Sequence, residues 1–271
     1  MFSIVCVYSD RNVLNRFLFP SLMKQNVEYE EIFIDNCNGQ FASAASAFNY
    51  AGKKATSKYI MFVHQDVDFE SGTWLADAEK LLDNLSDLGI AGVAGISETG
   101  HNLRERGRNI IKHGPERFIW EFGNAIDKPQ IVQTLDCCLL MIPNQVFQKL
   151  QFDDITCNNW HLYAEDYCLS IKLMGLNAYV IPLSIYHGSR GIRRVNRLKI
   201  LLSLGALPAE YYDTLKKLIQ KHKEKYKYIY TTNGEWNTFQ PIFIQRIFML
   251  LKGGFDYILR SIKGIFKYEH S

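Results

Sequence analysis

Tyr59-Ile-Met-Phe-Val-His-Gln-Asp66 is a run of five apolar residues that ends in a histidine, a glutamine and an acid. Five consecutive apolar side chains leave no solvent face, so the run reads as a strand buried on both sides. Such strands belong to sheets covered by helices above and below. Upstream, residues 43–54 place Ala44, Ala47, Phe48 and Ala51 at helical spacing, and residues 31–35 form a strand ending in Asn36-Cys-Asn-Gly39. Residues 12–24 carry Val13, Phe17, Leu18 and Leu22 at helical spacing, and Phe2 to Tyr8 is an apolar strand closed by Ser9-Asp-Arg-Asn12. Downstream, residues 74–85 read as a helix and 90–96 as a short strand. This β-α-β-α-β-α-β alternation predicts an α/β fold, a parallel sheet with helices on both faces.

In such sheets ligands gather at the carboxyl ends of the strands, and Asp10, Asp35 and Asp66 each lie at one. Past residue 96 the pattern loosens. Residues 97–130 are polar, contain Gly100, Gly107, Gly114 and Gly123, and are rich in Arg and His, which predicts a mobile loop or insertion over the site. Residues 132–142 return to strand character around Asp136, Pro143-Asn144 opens a short helix through Leu150, and 163–174 is a helix opening with Glu165-Asp166. A last strand, 178–181, precedes His187-Gly188. Residues 208–226 read as a charged helix, 223–230 as Lys/Tyr-rich, and 243–266 as apolar and basic, broken at Gly253-Gly254.

A carboxylate at a strand end can hold a divalent cation through hard oxygen ligands. Asp66 is the candidate; Asp66-Val-Asp68 also spells an acidic pair, and the competing reading is a turn cap. Glu165-Asp166 could supply a general base, although a helix N-terminus favours acids for its dipole alone. His187, beside a glycine after the last strand, is a candidate further ligand.

In this order the features resemble the family 2 glycosyltransferases and their GT-A fold. Residues 59–66 resemble that family's strand and DxD signature, in a His-Gln-Asp form similar to the subgroup of streptomycin-cluster glycosyltransferase-like proteins. Asn49, Trp74-Leu75, Tyr163-Ala-Glu-Asp-Tyr-Cys-Leu169, Gly175, Tyr179-Val-Ile-Pro182 and His187 match the rest of its pattern. The resemblance covers residues 2–190. It implies a Rossmann-like mixed sheet flanked by helices, and transfer of a sugar from a nucleotide-sugar donor to a glycan or lipid-linked acceptor by a single inverting displacement. Bacterial surface polysaccharide synthesis is the implied setting, and a catalytically degenerate nucleotide-sugar binder or scaffold is the alternative. By position, Asp10, Asp35, Asn49, His64, Gln65 and Asp66 would contact the donor. Asp66, His187 and Asp68 would hold Mn²⁺ or Mg²⁺. Asp166 would be the base and Glu165 would orient the site, with Asp136, Trp160 and His161 on the acceptor side. His64 departs from the family's first Asp and adds no negative charge.

The expected organisation is a catalytic domain over 1–190 and a basic helical extension over 191–271. Residues 1–189 hold 15 Lys+Arg against 22 Asp+Glu, a net −7, and residues 190–271 hold 16 against 6, a net +10. The basic end suggests an anionic partner, and its apolar residues suit a membrane interface, a helix packed on the body, or an oligomer contact. The acidic body and the lack of a reader motif argue against nucleic acid. Six scattered cysteines without a CxxC pair fit reduced thiols. With no leader-like start and no 18-residue apolar run, the expectation is a cytoplasmic protein, peripheral at most on the inner membrane face.

Overall fold

The computed structural model describes residues 1–114, 123–188 and 207–251. The first half comprises β1 (Phe2–Tyr8), α1 (Arg11–Arg16), α2 (Leu18–Leu22), β2 (Tyr29–Asp35), α3 (Ala44–Gly52), β3 (Tyr59–Val63), β4 (Val67–Asp68) and α4 (Trp74–Asp83). The helix expected over 12–24 is broken at Phe17, because Pro20 supplies no amide and its ring crowds the carbonyl four residues earlier.

Next come β5 (Leu88–Gly92), β6 (Gly95–Ile96), α5 (Leu103–Arg106), β7 (Gly107–Arg108), β8 (Lys112–His113), β9 (Gln130–Val132), β10 (Thr134–Leu135) and β11 (Leu139–Pro143). The single strands expected over 90–96 and 132–142 are therefore interrupted, the second at Asp136 itself. The segment expected as a loop over 97–130 carries three short elements, while residues 115–122 lie outside the described residues. The chain continues with α6 (Asn144–Phe147), α7 (Tyr163–Leu173), β12 (Asn177–Val180), β13 (Tyr186–His187), α8 (Ala209–His222), β14 (Tyr228–Thr231) and β15 (Gly234–Asn237). Residues 242–251 are helical. The boundary expected at 190 and the tail beyond 251 fall outside the described residues.

The central sheet has seven strands in the order β2-β1-β3-β11-β5-β12-β9. β1 runs parallel to β2 and β3, and β12 parallel to β5. The sheet is mixed, as the family resemblance implies and beyond what the alternation of elements alone predicts: β11 is antiparallel to both β3 and β5, and β9 to β12. β11 follows the short elements between β5 and Leu139 and enters the sheet from the end opposite to β3 and β5.

The sheet is buried on both faces, as the run of residues 59–63 requires. Ile60 and Phe62 pack with α3, α6 and α7, through Phe48, Phe147 and Tyr167. Tyr59, Met61 and Val63 pack on the other side with Leu14, Leu18, Trp74 and Leu75. Truncating a side chain such as Phe62 to alanine would cost about 3–5 kcal/mol. A third cluster joins Leu162 and Leu169 to Leu215 and Leu218 of α8 and to Ile229 and Trp236 of the β14–β15 hairpin.

Candidate functional site

The antiparallel return of β11 sets the turn after β10 beside the end of β3, where the His64 amide donates to the Cys138 carbonyl at 3.0 Å. A second, small sheet, β4-β13-β8, closes over the same end. In it His187 sits opposite Val67 on one side and His113 on the other. The Gly188 amide donates to the Asp66 carbonyl at 2.7 Å. Residues from three distant stretches thus meet at one strand end.

His64, Asp66 and His187 each offer a ligand atom there, all within 4.8 Å of one another. His187 Nε2 is buried and lies 3.2 Å from Asp66 Oδ1, an ion-pair contact without good hydrogen-bond geometry. Burial pushes the Asp66 carboxyl up, yet His187 and then His64 hold it below the ordinary range. Burial pulls the His187 imidazole down, yet Asp66 holds it above its usual value. The site therefore favours positive charge at the spot where a buried imidazole nitrogen and a carboxylate converge, which is the field a divalent cation would satisfy.

The other rings are held by what surrounds them. The Tyr163 hydroxyl donates to the Cys137 carbonyl at 3.2 Å and lies 3.2 Å from His64 Nε2. Having given its proton to the carbonyl, the hydroxyl accepts from His64, which places that ring's proton on Nε2 and its lone pair on Nδ1. Burial, and then the neighbouring His187, hold the His64 imidazole below its usual pKa. His113 stacks on His187 with centroids 4.8 Å apart and planes 11° apart. Neither Tyr163 nor His113 was identified as a site residue from the sequence. The one available signal for His113 was the histidine content of the 97–130 segment.

On the β1–β2 side, Gln65 Oε1 accepts from the Ser9 and Asp10 amides at 2.9 and 3.0 Å, which ties β3's end to the turn after β1. Asp10 caps α1 through the Asn12 amide and stays exposed. Asp35 accepts from the Cys37 amide and the Tyr8 hydroxyl, and these, the amide first, hold its carboxyl below the usual range. Arg11 lies 3.5 Å from Asp35.

Three of the expected residues have their side chains engaged elsewhere. The Asn49 amide holds both the carbonyl and the amide of Phe152, at 2.8 and 3.0 Å, and pins the 150s loop to α3. Asp68 lies outside the cluster, with Oδ1 accepting from the Glu70 amide at 2.8 Å, because residues 67 and 68 form a strand that turns its side chain away. Asp166 is 2 % exposed, and its two oxygens are engaged by Lys221 at 2.8 Å and His222 at 2.9 Å. Asp136, on the interrupted strand, accepts from the Cys138 amide and is within electrostatic reach of His64 and His187. Trp160 is exposed, and His161 packs edge-on against Tyr211 of α8.

Comparisons with known proteins agree with this architecture. A sequence family described as "Glycosyltransferase like family" matches residues 5–187. A protein of Fuscovulum blasticum called "ATP synthase subunits region ORF 6" is 25 % identical over 204 residues, 72 % of this chain and 78 % of that protein. Among solved structures, a mannosyltransferase from Pyrobaculum calidifontis in complex with GDP-Man and Mn²⁺ superposes with a TM-score of 0.53 at 13 % identity, over 83 % of this chain and 65 % of its own. S. aureus TarS 1–349 with UDP gives 0.50 at 14 % identity, over 81 % and 64 %. GalNAc-T7 with UDP, GalNAc and Mn²⁺ gives 0.51 at 11 %, over 82 % and 47 %. The chain thus spans less than two thirds of the length of these solved chains. At such identities the likeness concerns the fold, and the fold is GT-A.

Proposed function

This chain belongs to the glycosyltransferase-like family, and we propose that it transfers a sugar from a nucleotide-sugar donor to a glycan or lipid-linked acceptor with inversion. The observation that carries the reading is the His64–Asp66–His187 cluster at the carboxyl end of β3, with its buried His187 nitrogen. These three residues would hold a divalent ion, which when bound neutralises the diphosphate of the donor and eases its departure. Two imidazoles beside one carboxylate suit Mn²⁺ better than Mg²⁺, which prefers an all-oxygen set. Asp10 and Asp35, at the ends of β1 and β2, would hold the nucleoside, and Gln65 fixes the turn that presents Asp10. Asp136 and the exposed Trp160 would face the acceptor. The His-Gln-Asp form would mark the subgroup named above, and surface polysaccharide assembly is the setting this chemistry suits.

The test is a thermal-shift titration of the full chain against UDP-, dTDP- and GDP-sugars with and without Mn²⁺. Specific binding to the folded state raises its apparent stability. One base should stand out, with a Mn²⁺-dependent component absent from Asp66→Ala. No shift with any donor would count against the reading, and binding without turnover over a broad acceptor panel would favour the degenerate binder.

The helix over 242–251 favours a membrane location for this activity. Gln245 and Arg246 face inward, Gln245 onto the Asn237 backbone and Arg246 over the Tyr212 ring at 3.7 Å. Phe243, Ile244, Phe248 and Leu251 are exposed, and the +10 stretch that contains them would meet anionic lipid. None of the described helices is long and apolar enough to cross a membrane, so the contact would be interfacial. Co-sedimentation with phosphatidylserine vesicles should be lost in Phe243→Asp/Phe248→Asp. Equal binding by that variant would overturn the membrane reading.

A further inference from the structure

Strand pairing sets two histidine rings side by side at the cation site. β13 is the middle strand of its small sheet, with Val67 opposite His187 on one side and His113 opposite it on the other. Side chains of paired residues stand on one face of a sheet, and the two imidazoles stack, with centroids 4.8 Å and planes 11° apart. His113 Nδ1 lies 3.3 Å from the His187 carbonyl oxygen. A carbonyl only accepts, so the His113 proton is on Nδ1, and that bond fixes the ring in its stacked plane. The strand that carries His113 is itself tied down. The Lys112 amide donates to the Ile185 carbonyl at 3.1 Å, the Gly114 amide to the His187 carbonyl at 3.2 Å, and the buried Tyr186 hydroxyl to the Gly114 carbonyl at 2.5 Å. The Lys112 ammonium pairs with Glu70, just beyond β4, at 2.8 Å. His113 is thus held in register with His187.

The χ2 torsion of a histidine has a broad, roughly two-fold profile, so the ring plane of a ligand must be set by its neighbours. In metal sites a hydrogen bond to the far ring nitrogen ordinarily does this. His64 has a polar partner of its own in Tyr163. His187 is held differently: His113 is stacked on its ring, and His64 is tilted against it at 56° with centroids 5.5 Å apart. His113 is not one of the three residues whose ligand atoms lie within 4.8 Å of one another; it meets the cluster through its ring face. We propose that His113 is a positioning residue for the cation site: its stacked ring holds the His187 imidazole in the plane that keeps Nε2 beside the Asp66 carboxylate. This role for His113 rests on the cation reading above. Without the stack, His187 turns more freely about χ2, and an incoming ion must order the ring at a cost in affinity.

The experiment titrates Mn²⁺, without donor, into the full chain and into His113→Ala and His113→Phe by calorimetry, and records the visible spectrum of the Co²⁺-loaded proteins. Phenylalanine keeps a flat ring for the stack but has no nitrogen to bind an ion. His113→Ala should weaken Mn²⁺ binding by about tenfold, the low end for residues that orient a metal ligand, and shift or broaden the Co²⁺ bands, which report ligand geometry. His113→Phe preserves a stacked pair and should stay within about threefold of wild type with an unchanged spectrum. If His113→Ala does not fold, His113→Thr, whose branched side chain suits a strand, replaces it. Wild-type affinity in His113→Ala or His113→Thr overturns the positioning role and leaves the cation site standing. A loss in His113→Phe equal to that in His113→Ala also overturns it, because the ring nitrogens and not the ring face would then matter. Absence of Mn²⁺ binding by the wild type removes the cation reading itself, and this role with it.

Discussion

Two histidine–aspartate pairs lie in this chain, His187 with Asp66 at 3.2 Å and His222 with Asp166 at 2.9 Å. Both histidines are buried, and in both pairs the carboxylate belongs to a segment that resembles a transferase motif. They differ in what is left over. Asp166 is 3 % exposed at the side chain and fully engaged, with Lys221 on one oxygen and the aligned His222 on the other. Asp66 is 19 % exposed, its partner is misaligned, and His64 and the stacked His113 crowd the same point without satisfying it. A saturated pair closes a structure, whereas an unsaturated one of the same composition holds binding capacity in reserve.

That contrast predicts different costs. The largest is expected for Asp166→Ala, which strands Lys221 and His222 in a buried setting. Urea denaturation should show a loss of about 3–5 kcal/mol, the range for breaking a buried pair, and a loss below about 1 kcal/mol would remove the distinction between the pairs. Asp66→Ala should cost less stability without ligand than Asp166→Ala but weaken Mn²⁺ binding by at least about 100-fold in calorimetry, whereas His222→Ala leaves that affinity within about twofold. Tyr163→Phe removes the hydroxyl that sets the His64 tautomer, and should weaken Mn²⁺ about tenfold with the fold intact. The smallest effect concerns pH. Glu165 has its folded pKa raised from 4.5 to about 8, so it favours the folded state below about 4.5 and that contribution is lost as pH rises through about 8. Glu165→Gln should therefore flatten this dependence and exceed wild type by at least about 1 kcal/mol at pH 9.

The open cluster was largely legible in the chain. Asp66 follows an unbroken apolar strand, and His187 follows the last one, so a strand-end rule reaches both. His113 was not, because residues 112–113 are too short to show a period and acquire meaning only by pairing with β13. Asn49 matched a motif but is consumed by Phe152, a partner 103 residues away that no local pattern announces. The β14–β15 hairpin leaves a signal in the chain, an Asn233-Gly234 pair after the β-prone Tyr228-Ile-Tyr-Thr231, although the two loop residues are Thr232 and Asn233, with Gly234 already paired to Thr231. The antiparallel insertion of β11 was not legible, since alternation of elements does not state the direction of a strand that follows a run of short elements.

Reading the chain alone settles which residues stand at strand ends, because strand and helix periods are local properties of a few consecutive side chains. It therefore places Asp10, Asp35, His64 and Asp66 at one rim, and Glu165 and Asp166 at a helix start. It cannot say which of those two acids is held by a distant cation. Helical geometry fixes the angle between them, but what each meets depends on where α8 packs, and Lys221 comes to Asp166 across 55 residues of chain. The same holds for Nε2 of His187, which meets Asp66 only because the β4-β13-β8 sheet folds it there, without good hydrogen-bond geometry. Long-range packing selects the partners, and the partners decide which of two like pairs is anchored and which is open.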